Sequence, residues 1–124
     1  MTAQLTDATA RLESDTITLA FTVDDELPGA GHYWMLSTTF IAGPEGPIRQ
    51  LGFKMVDGGL ASVFVFDHVD AMQFNYTATV TPQRVGARWT ATFQVDALGS
   101  ASSGTWRATL DVDGTDAGVI EGIF

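Results

Sequence analysis

Tyr76-Thr-Ala-Thr-Val80, Trp89-Thr-Ala-Thr-Phe93 and Trp106-Arg-Ala-Thr-Leu110 carry one phrase three times: aromatic, polar, alanine, threonine, apolar. Side chains alternate across a strand, so each phrase sets its aromatic, its alanine and its apolar residue on one face and its polar pair on the other. Ala78, Ala91 and Ala108 then fall in the middle of three inner faces. If the three strands are neighbours in one wall, the alanines form a band of small residues across it. A band of that kind leaves a space for a ligand, unless large residues of the facing wall fill it.

Outward from these phrases, no stretch repeats apolar residues at helical spacing over ten residues, and Gly, Pro and Asp punctuate the chain throughout. Nine strands are expected, at roughly 3–12, 15–23, 32–42, 48–56, 60–67, 73–82, 87–96, 105–112 and 118–124. The second alternates cleanly, with Ile17, Leu19, Phe21 and Val23 on one face and threonines on the other. The third and fifth are apolar on both faces: Trp34, Leu36 and Phe40 oppose Tyr33, Met35 and Ile41, and Val63 and Val65 oppose Phe64 and Phe66. Their outer faces need a cover, either a loop or a second copy of the protein.

Turn chemistry sets the expected register. Asp57-Gly58 is a two-residue hairpin signal that pairs Met55 with Leu60, Phe53 with Ser62 and Leu51 with Phe64. A four-residue turn over 83–86 places Val80 beside Trp89, Ala78 beside Ala91 and Tyr76 beside Phe93. A tight turn on Asp113-Gly114 would carry Glu121 inward, where an unpaired charge is costly, so a five-residue loop over 113–117 is expected instead. It turns Ile120 and Phe124 inward beside Leu110 and Trp106.

With such short connections the expected fold is an all-β, antiparallel up-and-down meander of about nine strands, curled into a closed or nearly closed β-barrel. The alternative is an immunoglobulin-like β-sandwich, whose Greek-key connections are also short. Trp34 on the third strand, and Asp70 six residues before Tyr76, resemble an immunoglobulin core tryptophan and tyrosine corner. The spacing is not the signature spacing, and the cysteines are absent.

The totals narrow the function. A chain of 124 residues reads as one domain, 1–124, with a core large enough to need no staples. The lack of cysteine removes disulfides, thiol chemistry and cysteine metal sites. A formal net charge of −9 without any Lys/Arg cluster argues against nucleic acid. Nothing reads as a membrane span or a signal peptide, so a soluble cytoplasmic protein is the expectation, with the Asn75-Tyr76-Thr77 sequon idle.

Antiparallel alternation gathers loops 24–31, 57–59, 83–86 and 113–117 at one end and the remaining loops at the other. His32 and His68 then lie at opposite ends, which separates the only two histidines and leaves no metal site between them. At the first end His32, Tyr33, Trp34 and Trp89 are expected to line a mouth, with 24–31 as its lid. Asp24, Asp25 or Glu26 are the acids placed to serve His32, and Asp67-His68-Val-Asp70 sets a second imidazole among carboxylates. Asp111-Val-Asp113-Gly-Thr-Asp116 matches the first positions of a calcium loop but lacks its glycine and its final glutamate, and reads as a turn. Outward Thr-x-Thr rows, such as Thr77, Thr79 and Thr81, are ordinary exposed strand.

Taken together, the sequence points to a small-molecule-binding barrel. A compact apolar or aromatic ligand would sit before Trp34, Ala78, Trp89, Ala91 and Ala108, with no cofactor. A cyclase or isomerase that shapes its substrate is compatible with this, using His32 or Tyr33 for proton transfer. The alternative is a non-catalytic sandwich module that forms a homodimer or partner interface through strands 32–42 and 60–67.

Overall fold

Strand 16–23 shows why this chain folds as sheet. Ile17, Leu19 and Phe21 are fully buried and Val23 nearly so, while Thr16, Thr18 and Thr22 between them stay half-buried on the other face. The computed structural model describes residues 3–43, 46–75, 81–99 and 103–124, with the side chains of 74 and 75 left aside. Ten strands are found among them: β1 (Leu5–Leu12), β2 (Thr16–Val23), β3 (Tyr33–Ile41), β4 (Ile48–Val56), β5 (Gly59–Asp67), β6 (Met72–Asn75), β7 (Gln83–Val85), β8 (Arg88–Gln94), β9 (Thr105–Val112) and β10 (Thr115–Ile123). A single 3-10 turn, Val95–Leu98, follows β8. No helix of the described residues is long and apolar enough to cross a membrane.

The strands form two antiparallel sheets, β1-β2-β8-β7 and β10-β9-β3-β4-β5-β6. Among the described residues neither sheet closes on itself, so the expected barrel is not seen. The meander fails with it, because β2 takes β8 as its second neighbour and β3 takes β9. The three repeated phrases are therefore not one wall. Trp89-Thr-Ala-Thr-Phe93 belongs to the four-stranded sheet and Trp106-Arg-Ala-Thr-Leu110 to the six-stranded one. Tyr76-Thr-Ala-Thr-Val80, and Ala78 with it, lies outside the described residues. A shared phrase reports which face of a strand is buried, not which strand lies beside it.

One core joins the two sheets. Phe21 of the four-stranded sheet meets Phe53 of the six-stranded sheet edge-on, with ring centroids 6.3 Å apart. Trp34 meets Trp89 at 4.9 Å across the same gap. Edge-to-face rings at these distances add a small favourable term to the area they bury. On one side the sheets converge where β1 runs beside β10. There the Gly118 backbone lies so near Leu5 that a Cβ would come within 2.8 Å of the Leu5 carbonyl oxygen.

Three turns differ from expectation, each for a local reason. The Asp57-Gly58 turn forms with both residues at positive φ (53° and 80°), and Met55 pairs with Leu60 as expected. A bulge follows at once, so Phe53 faces Val63 and Leu51 faces Val65. That turns Phe64 and Phe66 outward. Asp113-Gly114 makes the tight turn rather than a five-residue loop, and a second bulge between Asp116 and Val119 restores the register. Ile120 packs inward opposite Ala108 and Glu121 points out to solvent, so the burial argument holds although the turn is different. The β7–β8 turn falls at Gly86-Ala87 instead of 83–86, which sets Arg84 rather than Val80 opposite Trp89.

Candidate functional site

The side chains singled out from sequence separate into two groups. The loops of the first end do converge. The His32 Nδ1 lies 2.6 Å from Asp113 Oδ2, and the Tyr33 N–H donates to Asp113 Oδ1 at 3.0 Å. Gly31 N–H donates to Asp57 Oδ1 at 2.7 Å, and Arg84 pairs with Glu26 at 2.7 Å. The partner of His32 is thus Asp113, not Asp24, Asp25 or Glu26. The Tyr33 N–H first, and the His32 side chain second, hold the Asp113 carboxyl below its ordinary pKa. Tyr33 lies beneath the Lys54 ammonium, 4.8 Å from its ring centroid.

Trp34 and Trp89 do not line an open mouth with them. Trp34 is 3 % exposed and touches both Trp89 and Phe53, while Phe53 and Trp89 lie 5.9 Å apart. The three rings close on one another at this end of the core, with Trp89 half-buried beneath the Arg84 guanidinium, 5.6 Å from its ring centroid. Ala91 and Ala108 are buried on the two facing sheets, not side by side. A cleft of about 290 Å3 does open at this end, between Asp24, Asp25 and Glu26 on one side and Arg84, Gly86 and Ala87 on the other. Its acids are already engaged: Asp24 accepts from Gln4 N–H, Asp25 from Glu26 N–H, and Glu26 from Arg84.

A larger cleft, of about 430 Å3, lies on the outer face of the six-stranded sheet. Register places its residues in rows. Thr39 sits between Arg107 on β9 and Gln50 on β4, and Ile41 lies opposite Ile48. In the next row Ser37 sits between Thr109 and Gly52. Ser37 and Gly52 are buried, and of this row Thr109 lines the cleft. A Cβ on Gly52 would stand 2.5 Å from the Leu36 carbonyl oxygen and from Ser37 Cβ, so no larger residue fits there without backbone movement. His68 and Asp116 complete the rim.

The floor of this cleft is a chain of hydrogen bonds. Gln50 Nε2 donates to Ser37 Oγ at 2.8 Å, which leaves Gln50 Oε1 to accept from His68 Nε2 at 3.0 Å. Neutral His68 therefore carries its proton on Nε2, and Nδ1 is an acceptor. Ser37 is wholly buried and accepts from Gln50, and its Oγ lies 3.3 Å from Thr109 Oγ1, a contact in which either hydroxyl can donate. The chain thus runs from His68 through Gln50 and Ser37 to Thr109.

The turn after β5 explains how His68 reaches this face. Asp67 Oδ1 accepts from the N–H groups of Val69 and Asp70 and so fixes the bend. Its other oxygen lies 3.3 Å from Arg49, which also donates to the Ala97 carbonyl. The Asp70 N–H is the largest of the influences that hold the Asp67 carboxyl below its ordinary pKa. Asp67 is engaged by the turn and by Arg49, and the hydrogen-bond partner of the imidazole is Gln50 rather than a carboxylate as the sequence suggested. The edge of the Phe66–His68 ring pair, with centroids 4.6 Å apart, holds the imidazole instead.

The calcium-like run does not make a cage: Asp111 accepts from Gly114 N–H, Asp113 serves Tyr33 and His32, and Asp116 lies opposite Asp111 on the outer face. Among the described residues no group of three or more His, Asp or Glu is placed to hold a metal. The chain through Gln50, Ser37 and Thr109 escaped the sequence reading. Its one signal was Gly52 in mid-strand, the mark of a close backbone approach. No protein-family model matches this chain, and neither a curated protein nor a solved structure matches it.

Proposed function

We propose that this protein is a small non-catalytic binding module, an immunoglobulin-like β-sandwich that holds a small molecule on the outer face of its six-stranded sheet. The strand order supports the architecture: β1-β2-β8-β7 and β10-β9-β3-β4-β5 follow the A-B-E-D and G-F-C-C′-C″ orders of a variable-type domain, with β6 added at the edge. Trp34 on β3 occupies the strand that carries the core tryptophan of such domains. The proposed tyrosine corner has no such support, since Asp70 lies in the β5–β6 turn and Tyr76 outside the described residues.

The observation that carries the function is the 430 Å3 cleft, within the size range of small-molecule sites, with an ordered polar floor and the apolar walls Ile41 and Ile48. An interior site has less to recommend it, because the sheets are open and Trp34, Phe53 and Trp89 meet where the ligand would lie. The His32–Asp113 pair has the geometry of an oriented base, but its partners tie the β2–β3 loop to the β9–β10 turn, and neither cleft includes it. Binding without catalysis is the reading.

Saturation-transfer NMR on a set of small acids, amines, alcohols and dipeptides separates the two locations. Thr39→Trp fills the outer cleft and is expected to abolish every signal, while Ala91→Phe, in the core, leaves binding intact in whatever fraction folds. The reverse pattern would return the ligand to the interior.

A second reading has its own observation. Both two-sided strands, β3 and β5, lie in the six-stranded sheet, and Tyr33 (38 % exposed) and Val56 (39 %) stand side by side on its outer face, away from the cleft. A second copy covering this corner would form a homodimer. Sedimentation of the wild type and Val56→Asp decides it: a dimer that Val56→Asp converts to monomer supports the interface, and a wild-type monomer at high concentration removes it.

A further inference from the structure

We infer that the outer-face cleft takes a short zwitterion of dipeptide size, an inference that rests on that cleft being the binding site. Arg107 and Asp116 both border the cleft, and among the described residues neither makes an ion pair or a side-chain hydrogen bond. Of the lining residues Arg107 is the cation and Asp116 the carboxylate, while Glu121, opposite Arg107, and Asp111, opposite Asp116, lie beside them outside the lining. A simple anion would satisfy Arg107 but face Asp116, and a simple cation the reverse. A molecule with both charges satisfies both, and its zero net charge escapes the penalty that a net charge of −9 imposes on anions.

Spacing sets the size. Arg107 and Asp111 are four residues apart on β9, and Asp116 pairs with Asp111. Strand rise and strand separation put the Cα atoms of Arg107 and Asp116 about 14 Å apart. The charged ends of an extended dipeptide, met by the reach of the two side chains, suit a separation of that order. The floor supplies what the middle of such a molecule needs. The Thr109 hydroxyl in the cleft lining can turn to donate to the amide carbonyl, and His68 Nδ1 offers an acceptor for the amide N–H. Ile41 and Ile48 offer an apolar side chain a wall.

Calorimetry with one peptide in four charge states tests this: Gly-Leu with free ends, its N-acetyl form, its C-terminal amide, and the doubly blocked form. The free dipeptide is expected to bind about tenfold tighter than either singly blocked form, the worth of one charge-assisted contact. Arg107→Gln should erase the advantage over the amide, and Asp116→Asn the advantage over the N-acetyl form. Both side chains are exposed and unpaired, so both variants are expected to melt like the wild type. A singly blocked form that binds as tightly as Gly-Leu, or a rank order unmoved by both substitutions, overturns the inference. If other small molecules occupy the cleft while Gly-Leu does not, the zwitterion fails and the binding site stands. If nothing occupies it, both fail.

Discussion

The two faces of β3 are built on opposite principles. Inward, Trp34, Leu36 and Phe40 are large, apolar and almost completely buried, and they fill the gap between the sheets by ring contact. Outward, the apolar Tyr33, Met35 and Ile41 flank the small polar Ser37 and Thr39, and Ser37 is hydrogen-bonded to Gln50 of β4 and Thr109 of β9. One strand thus closes one side of its sheet and leaves a depression on the other. The proposed binding site lies on the side where volume is missing, not the side where aromatic residues collect.

Substitutions on the two faces should differ accordingly. Phe53→Ala, opposite Leu36 and beneath Phe21, Trp34 and Trp89, removes a fully buried ring and is expected to cost about 3–5 kcal/mol in urea unfolding. A loss under about 1 kcal/mol would mean that the inner face is loosely packed, as an interior site requires. Ser37→Ala leaves Gln50 and Thr109 without their shared partner and should cost only about 1 kcal/mol. Its sharper effect is on binding, which should weaken with the floor unlinked.

The smallest effect concerns the end where the loops meet. The folded-state pKa of Asp113 lies below the ordinary value of about 3.9, so the carboxylate's contribution to stability is complete above that value and is lost as pH falls through the lower, folded one. Between pH 5 and pH 2 the melting temperature of the wild type should therefore fall more than that of Asp113→Asn. Asp67 shares the direction of shift and titrates in both proteins, so the variant keeps part of the acid sensitivity. Parallel curves would show that the Tyr33 and His32 contacts to Asp113 add nothing to stability.

What the sequence disclosed follows from the range of each interaction. The alternation of β2, the Asp57-Gly58 turn and the two-sided character of β3 depend on residues a few positions apart, and each was readable. The clustering of loops at the His32 end needs only that strands alternate in direction, so it survived the change from barrel to two sheets. The neighbours of β2 and β3 did not: β8 and β9 lie more than sixty residues away, and nothing local distinguishes them from other half-buried strands. Bulges defeat register arguments because one extra residue, as Ala61 on β5 opposite Lys54 and Met55, turns every later side chain over. The polar floor was out of reach for the same reason, since it needs β3, β4 and β9 aligned at once together with the β5–β6 turn.

The account stands on the outer face being where a ligand settles. Amide shift mapping of the nitrogen-15-labelled protein, titrated with the same set of small acids, amines, alcohols and dipeptides, reads that location directly. The expected result is a patch of shifted amides over Thr39, Ile41, Gln50, His68, Arg107 and Thr109, with Leu36, Ala91 and Ala108 unmoved. Shifts concentrated on those inner residues, or none on the outer face, would contradict it.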